Sequence, residues 1–331
     1  MDKALRLNER RIHPDSPLLR GRPILRTPRR RAALDEELAV WRHWYSEDLR
    51  LRTPVRRNMA IVEAFAVVPR ERFLGPGPWG VMPDRPGLHL DEPVMTPDDD
   101  PRWLYHDVLV TIDSARELNN GLPSFWAHNF DHLDWRPGQR VLQVGAGTGY
   151  YSAVLAEIVG AAGRVIAVER DDELAARARA NAAPWRQLEV VAGDGRAHDP
   201  GEVDAIIVFA GSTHPAPIWL DRLAEGGRLI MPLTTEERWG FVLQVVRRGS
   251  NFDAASIGGV GIFPCVGGRD AEAARRLEHA LRELRRGPQP TEVPIQTLHR
   301  GEPGLAATVW YCAPGFWLER KSSAKSCDQP G

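Results

Sequence analysis

The sequence predicts an α/β protein built on a doubly wound, mostly parallel sheet with an antiparallel edge, flanked by a helical N-terminal segment and a C-terminal extension. Three observations predict it. Five short runs rich in Val, Ile and Leu alternate with helix-prone segments between residues 140 and 233. A glycine-rich loop, Gly145-Ala146-Gly147-Thr148-Gly149, joins the first run to the first helix. Two further apolar runs then follow one another with no helix between them. Continuous apolar runs joined by helices mark strands covered on both faces.

With 331 residues, 43% of them hydrophobic and 26% charged, the chain can bury one large core or two small ones. Its 43 Lys and Arg against 44 Asp and Glu leave a net charge of −1, so nothing calls for a nucleic-acid partner. No apolar run reaches the ~18 residues of a membrane span. The Arg-rich start lacks the apolar stretch of a secretory signal, and its Asp and Glu argue against a transit peptide. Cys265, Cys312 and Cys327 have no paired spacing. Reduced thiols and a cytoplasmic setting are the expectation.

Residues 1–32 read as a basic flexible arm ending in "TPRRRAA". Residues 33–135 read as a helical segment that covers the acceptor site. Within it, Leu34, Leu38, Trp41, Trp44 and Tyr45 share one face of a helix over residues 33–51. A second helix over 56–74 is broken near Pro69, and a loop rich in Pro, Gly and Asp spans 75–100. Proline opens a third helix over 123–133. His128 and His132 lie four apart on it, but no third ligand is near, so no metal is expected.

Residues 136–268 carry the alternating pattern. Its strands are "RVLQVG", "RVIAVE", "LEVVAGD", "DAIIVFA" and "RLIMPL", followed by "FVLQVVRR" and "GIFPCVG" as an antiparallel pair. Residues 269–331 hold a helix over 271–286, one more hairpin in "ATVWYCAPGFWLER", and a disordered tail.

Helix N-termini expose unpaired N–H groups and a partial positive charge, and glycines let a ligand approach them. Glu169 ends the next strand, 20 residues after Gly149, where its carboxylate can accept both hydroxyls of a ribose. NAD and S-adenosylmethionine both fit to this point. A dinucleotide loop needs a third glycine where this chain has Tyr150. Asp194-Gly195 ends the third strand, where a carboxylate can meet an adenine amino group, and "LAEGGRLIMP" turns through Gly-Gly into the fifth. Together these features resemble class I S-adenosylmethionine-dependent methyltransferases. The resemblance implies a seven-stranded Rossmann-like sheet with S-adenosyl-L-methionine at Gly145, Gly147, Gly149, Glu169, Asp194 and Gly195.

"VLQVGAGTGYYSAVLAE", "VIAVERDDELAARARAN", "VVAGDG" and "LAEGGRLIMPL" narrow the resemblance to the protein-L-isoaspartate O-methyltransferases. "VPRERFL", "LYHD" and "GIFPCVGG" resemble that family outside the cofactor segment. The resemblance implies methyl transfer to a peptide or protein carboxylate. One departure stands out. The family's Thr-Ile-Ser motif, which helps position the substrate carboxylate, falls on Asn119-Asn120-Gly121, so its serine becomes Gly121. Asn119 and Asn120, with amide donors, and Ser124 three residues on are the candidates for holding the acceptor. Asp107, beside His106, is a further residue able to face the site. The missing serine predicts weak or absent repair of ordinary isoaspartyl peptides, with activity kept for a different or more restricted carboxylate acceptor. Two other readings stay open: a different acceptor, in a peptide natural product or small metabolite, or a cofactor-binding interaction protein without transfer activity.

Overall fold

The computed structural model describes residues 28–53, 55, 57–83, 92–285, 293–304 and 308–321. Most of the expected arm and the whole expected tail lie outside them. The first helix, α1 (Pro28–Arg52), starts inside the segment assigned to the arm. Pro28 explains the early start, since proline suits a first helical turn whose N–H groups have no partner. Helix α2 (Ala60–Val67) buries Ile61, Val62, Ala64 and Phe65. It stops because Pro69 holds Val68 in extended geometry. A single 3₁₀ turn, Arg70–Phe73, follows.

The stretch read as a loop contains structure. Strands β1 (Gly80–Pro83) and β2 (Val94–Met95) pair with each other, and β1 also pairs with β3 (Val108–Asp113). Strand β4 (Leu118–Asn119) completes a small antiparallel sheet in the order β2-β1-β3-β4. Strands β1, β2 and β4 span only two to four residues, too few to show a period. Helix α3 (Pro123–Asp131) follows, opened by its proline as expected.

The large sheet begins with β5 (Arg140–Val144). Next come α4 (Tyr150–Val159), β6 (Arg164–Glu169), α5 (Asp172–Ala182), β7 (Leu188–Ala192), β8 (Val203–Val208), α6 (Pro217–Arg222) and β9 (Leu223–Thr234). These five strands are parallel, as their unbroken Val and Ile runs require. Strands β10 (Trp239–Arg248) and β11 (Asn251–Gly261) add an antiparallel hairpin.

Here the structure corrects the sequence reading. The partner of β10 is β11, not "GIFPCVG". Residues 262–267 leave the sheet and cross its carboxyl side, held by Gly211 N to Phe263 O (2.7 Å) and Cys265 N to Gly211 O (2.7 Å). Pro264 has no N–H to offer a ladder, which suits a crossing strap better than a strand.

Helix α7 (Ala271–Arg285) is followed by β12 (Ile295–Arg300), β13 (Val309–Ala313) and β14 (Phe316–Arg320). The expected hairpin is β13–β14. With β12, it continues the sheet to ten strands in the order β13-β14-β12-β11-β10-β9-β8-β5-β6-β7. The ladder at the join is short: among the described residues, β12 pairs with β11 at Phe252 opposite Leu298 and Asp253 opposite Thr297. One core, under α1 to α4, gathers Phe65, Phe73, Trp126, Tyr150 and Val154. A second, under α6 and α7, gathers Trp219, Leu229, Leu277 and Phe316, and a small third, at the four-stranded sheet, gathers Leu74, Trp79, Leu104 and Val110. Each fully buried large side chain there stabilises the fold by about 1.5–3 kcal/mol.

Candidate functional site

The carboxyl end of β5 delivers the glycine loop. Gly145, Gly147 and Gly149 all have left-handed φ, at +89°, +57° and +94°, which side chains with a Cβ rarely adopt. The loop is tied down from within. Gly145 N (2.8 Å) and Ala146 N (3.2 Å) donate to Val168 O, and Gly149 N donates to Ala146 O (2.9 Å). Gly147 N donates to Glu169 Oε2 (2.7 Å). The glycines therefore make room and shape, rather than presenting these N–H groups to a ligand. A Cβ built on Gly147 would meet no atom within 4 Å, so the space beside it is open.

Glu169 is 9% exposed, and its Oε1 accepts from Asp171 N (2.9 Å). Each of its oxygens keeps a lone pair after one backbone bond, which leaves capacity for two ribose hydroxyls. Asp194 sits across from it. Its Oδ1 accepts from Arg196 N (2.9 Å), and its Oδ2 lies 3.4 Å from Arg170 Nη1. Gly195 is needed for packing, since a Cβ there would fall 2.7 Å from Val144 Cγ1.

One cleft of about 530 Å³ is lined by the glycine loop, Glu169, Asp194 and Gly195 and also by Asn119, Asn120, Gly121 and Trp126. The strap supplies Phe263, Pro264, Cys265 and Val266. The turn expected to face the glycine loop thus shares a cavity with it. Asn119 Oδ1 accepts from Gly121 N (2.9 Å) and shapes the turn. Asn120 is held from behind: its Oδ1 accepts from Arg70 Nη2 (3.2 Å) and Val110 N (3.2 Å), while its Nδ2 has no partner. Arg70 is 0% exposed and also donates to Leu104 O (2.8 Å), His106 O (3.0 Å) and Val108 O (2.6 Å). Among the described residues no carboxylate pairs with it. A buried guanidinium neutralised only by carbonyl dipoles leaves positive potential behind the turn.

Ser124 does not line the cleft. Its backbone N–H donates to Asp107 Oδ1 (2.9 Å), so both residues serve the start of α3. Proline at the first helical position turned Ser124 into the helix and away from the turn. Gly121 has φ +77°, and a Cβ on it would fall 2.7 Å from Trp126 Nε1. A serine cannot simply be restored there, because an indole fills the space. Trp126 stacks on Phe209 with ring centroids 3.6 Å apart. The sequence reading missed Trp126, Phe209 and Arg70 as cleft builders. Phe209 lies just past the carboxyl end of β8, where ligands of open α/β sheets bind, and that position was the available signal.

Burial pushes the phenols of Tyr150 and Tyr151 well above their ordinary range and raises the Cys265 thiol. His128 Nε2 lies 3.1 Å from Ile257 O, and burial, then neighbouring His128, lowers His132 to about 4. Among the described residues, no group of three or more His, Cys, Asp or Glu is placed to hold a metal ion.

Comparison with known proteins converges on one family. Its model, Protein-L-isoaspartate(D-aspartate) O-methyltransferase, matches residues 97–268, just over half of the chain. A protein-L-isoaspartate O-methyltransferase of Pyrobaculum neutrophilum is 33% identical over 223 residues, covering 65% of this chain and 94% of that one. The corresponding protein of Methanoculleus marisnigri is 37% identical over 171 residues, covering 50% and 74%. A solved protein-L-isoaspartate O-methyltransferase aligns with TM-score 0.56 at 19% identity, covering 85% of this chain and 88% of that one. A Plasmodium falciparum structure of that description, in complex with S-adenosyl-L-homocysteine, aligns with TM-score 0.51 at 18% identity, covering 68% and 97%. At these identities the solved structures speak for the fold.

Proposed function

The chain belongs to the protein-L-isoaspartate O-methyltransferase family, and on that premise we propose that it methylates a carboxylate of a peptide or protein held by the Asn119–Trp126 side of the cleft. It is an S-adenosylmethionine-dependent methyltransferase. The donor set fits that cofactor. Glu169 has lone pairs for the ribose hydroxyls, Asp194 has a carboxylate for the adenine amino group, and the open space beside Gly147 admits the ligand. When bound, S-adenosylmethionine supplies an electrophilic methyl group, so a carboxylate oxygen gains a C–O bond as the C–S bond breaks, and no proton has to move.

The residues present suit that reaction. A carboxylate acceptor is already ionised near neutral pH, so the transfer needs no general base. The aromatic wall of Trp126, Tyr151 and Phe209 excludes water and strengthens each polar contact made there. Asn119 supplies an amide donor, and Arg70 places positive charge behind the turn. Cys265 and Cys312 are free thiols, which supports a cytoplasmic setting. Among the described residues, no helix is long and apolar enough to cross a membrane.

The observation that carries the proposal is the shared cleft: the glycine loop with Glu169 and the Asn119–Gly121 turn line one cavity. Gly121 and the indole against it favour a restricted acceptor over any isoaspartyl peptide. The test is transfer of tritiated methyl to an isoaspartyl peptide beside its aspartyl twin. The expected result is slow labelling of the isoaspartyl peptide alone. Labelling of neither, with cofactor binding intact by calorimetry, refutes the acceptor class.

A further inference from the structure

We infer that the indole N–H of Trp126 is the hydrogen-bond donor that holds the acceptor carboxylate, an assignment that rests on the acceptor reading above. Trp126 lines the cleft and is 2% exposed, yet its Nε1–H has no acceptor among the described residues. A buried indole N–H normally finds a partner. Trp79 gives its own to Gly75 O (3.2 Å), Trp135 to Phe130 O (2.8 Å) and Trp219 to Gly195 O (2.9 Å). Trp310 and Trp317 also leave theirs unpaired, but neither lines this cleft.

The neighbouring geometry keeps the Trp126 N–H open. Stacking on Phe209 fixes the ring plane. A side chain at position 121 would cover the N–H, but that residue is glycine, and a Cβ on it would lie 2.7 Å from Nε1. The Tyr151 hydroxyl donates to Gly121 O (3.0 Å) and does not accept from the Trp126 N–H. Asn120 offers the other unspent donor, but its Nδ2 is sealed from solvent, whereas Nε1 of Trp126 is not among the sealed unpaired atoms. A neutral N–H facing an otherwise aromatic wall selects an oxygen acceptor, and an anionic oxygen above all. Gly121 is therefore required for a second reason besides its φ of +77°: any side chain there would cap the donor.

The test uses the full chain with two replacements at 126. Trp126→Phe removes the N–H and part of the ring. Trp126→benzothienylalanine keeps the bicyclic shape and the stack but puts sulfur where the N–H was. Both are expected to lower kcat/KM for an isoaspartyl peptide by about ten- to a hundredfold, as loss of a hydrogen bond to a charged group does. The affinity for S-adenosylhomocysteine, measured by calorimetry, is expected to stay within twofold. If the benzothienyl variant keeps the natural kcat/KM, the N–H assignment is overturned, whatever Trp126→Phe does, because Trp126 then acts by packing alone. If the natural protein binds the cofactor product but methylates no peptide, the acceptor reading fails and this assignment falls with it.

Discussion

The two sides of the cleft are built in opposite ways. The side we assign to the cofactor comes from one short stretch of chain, β5 through the turn after β7, and its polar groups bond to one another: Gly147 to Glu169, Asp171 to Glu169, Arg196 to Asp194. The side we assign to the acceptor draws on α2's trailing turn, β3, the Asn119–Gly121 turn, α3 and the end of β8, and it leaves the Trp126 N–H without a partner among the described residues. A side that is satisfied without ligand is preorganised for a ligand common to many enzymes. A side with unspent donors is specified by what it has yet to bind.

The strongest way to break this comparison is to remove the centre of the acceptor side. Arg70→Met removes a donor from three carbonyls and from Asn120 Oδ1; His106 O keeps the Val108 N–H and Asn120 Oδ1 keeps the Val110 N–H, but Leu104 O and Val108 O lose the guanidinium outright. A stability loss of about 3 kcal/mol or more is expected in urea unfolding, since each buried unsatisfied group costs ~1–3 kcal/mol. In the folded fraction, methylation should collapse while affinity for S-adenosylhomocysteine changes less than threefold. Equal loss on both sides would show that they are not separable.

The reciprocal change is Glu169→Ala. Charge-assisted hydrogen bonds are worth ~1.5–3 kcal/mol each, so S-adenosylmethionine should bind roughly ten- to a hundredfold more weakly. The loop also loses its anchor at Gly147. NAD should not bind either protein; an unchanged calorimetric affinity for S-adenosylmethionine removes Glu169 from the site.

A smaller effect is expected with pH, and it touches the helix that carries Trp126. Burial and neighbouring His128 lower His132 from 6.5 to about 4. The unfolded chain therefore binds this proton more readily than the folded one. The contribution of neutral His132 is complete above pH 6.5 and declines as pH falls towards 4. Because the ring is only half-buried, the discounted expectation is a melting temperature ~2 °C lower across that window than in His132→Gln. Parallel curves for the two proteins would exclude the effect.

The smallest expected change sharpens the boundary of the site. Ser124→Ala should leave kcat/KM within twofold, because Ser124 contributes its backbone N–H to Asp107 and does not line the cleft. A tenfold loss would return Ser124 to the acceptor side.

The same asymmetry explains what could be read from the chain. Strands β5 to β9 are continuous apolar runs, and the spacing of Gly145, Gly147, Gly149 and Glu169 is local, so that side was legible. Strands β1 and β2 are four and two residues long, below any period. β11 was missed because only Phe252 and Ala254 are buried in it, and the apolar run that drew attention, "GIFPCVG", is the strap instead. Arg70 reaches Asn120 across 50 residues of sequence, and no local pattern announces such a bond. Ser124 misled for the opposite reason: it lies close to the turn in sequence, but Pro123 commits it to the helix. Gly121 was legible as a departure, whereas its cause, the Trp126 ring, required coordinates.

The two-residue join between β11 and β12 makes the ten-stranded sheet behave mechanically as a zip with a weak tooth. β10 and β11 are paired along nearly their whole length, and β12 with β14 along theirs, so each flank holds together better than the join does. What stitches the last three strands to the rest is borrowed from outside the ladder: α7 packed beneath them and the Tyr311 hydroxyl on Thr213 O (2.8 Å). Amide hydrogens in β12, β13 and β14 should therefore exchange as one sub-global unit, ahead of those in β5 to β9. Opening at that edge leaves the cleft intact, so the outer part of the sheet can breathe or diverge in sequence without disturbing methyl transfer at its centre.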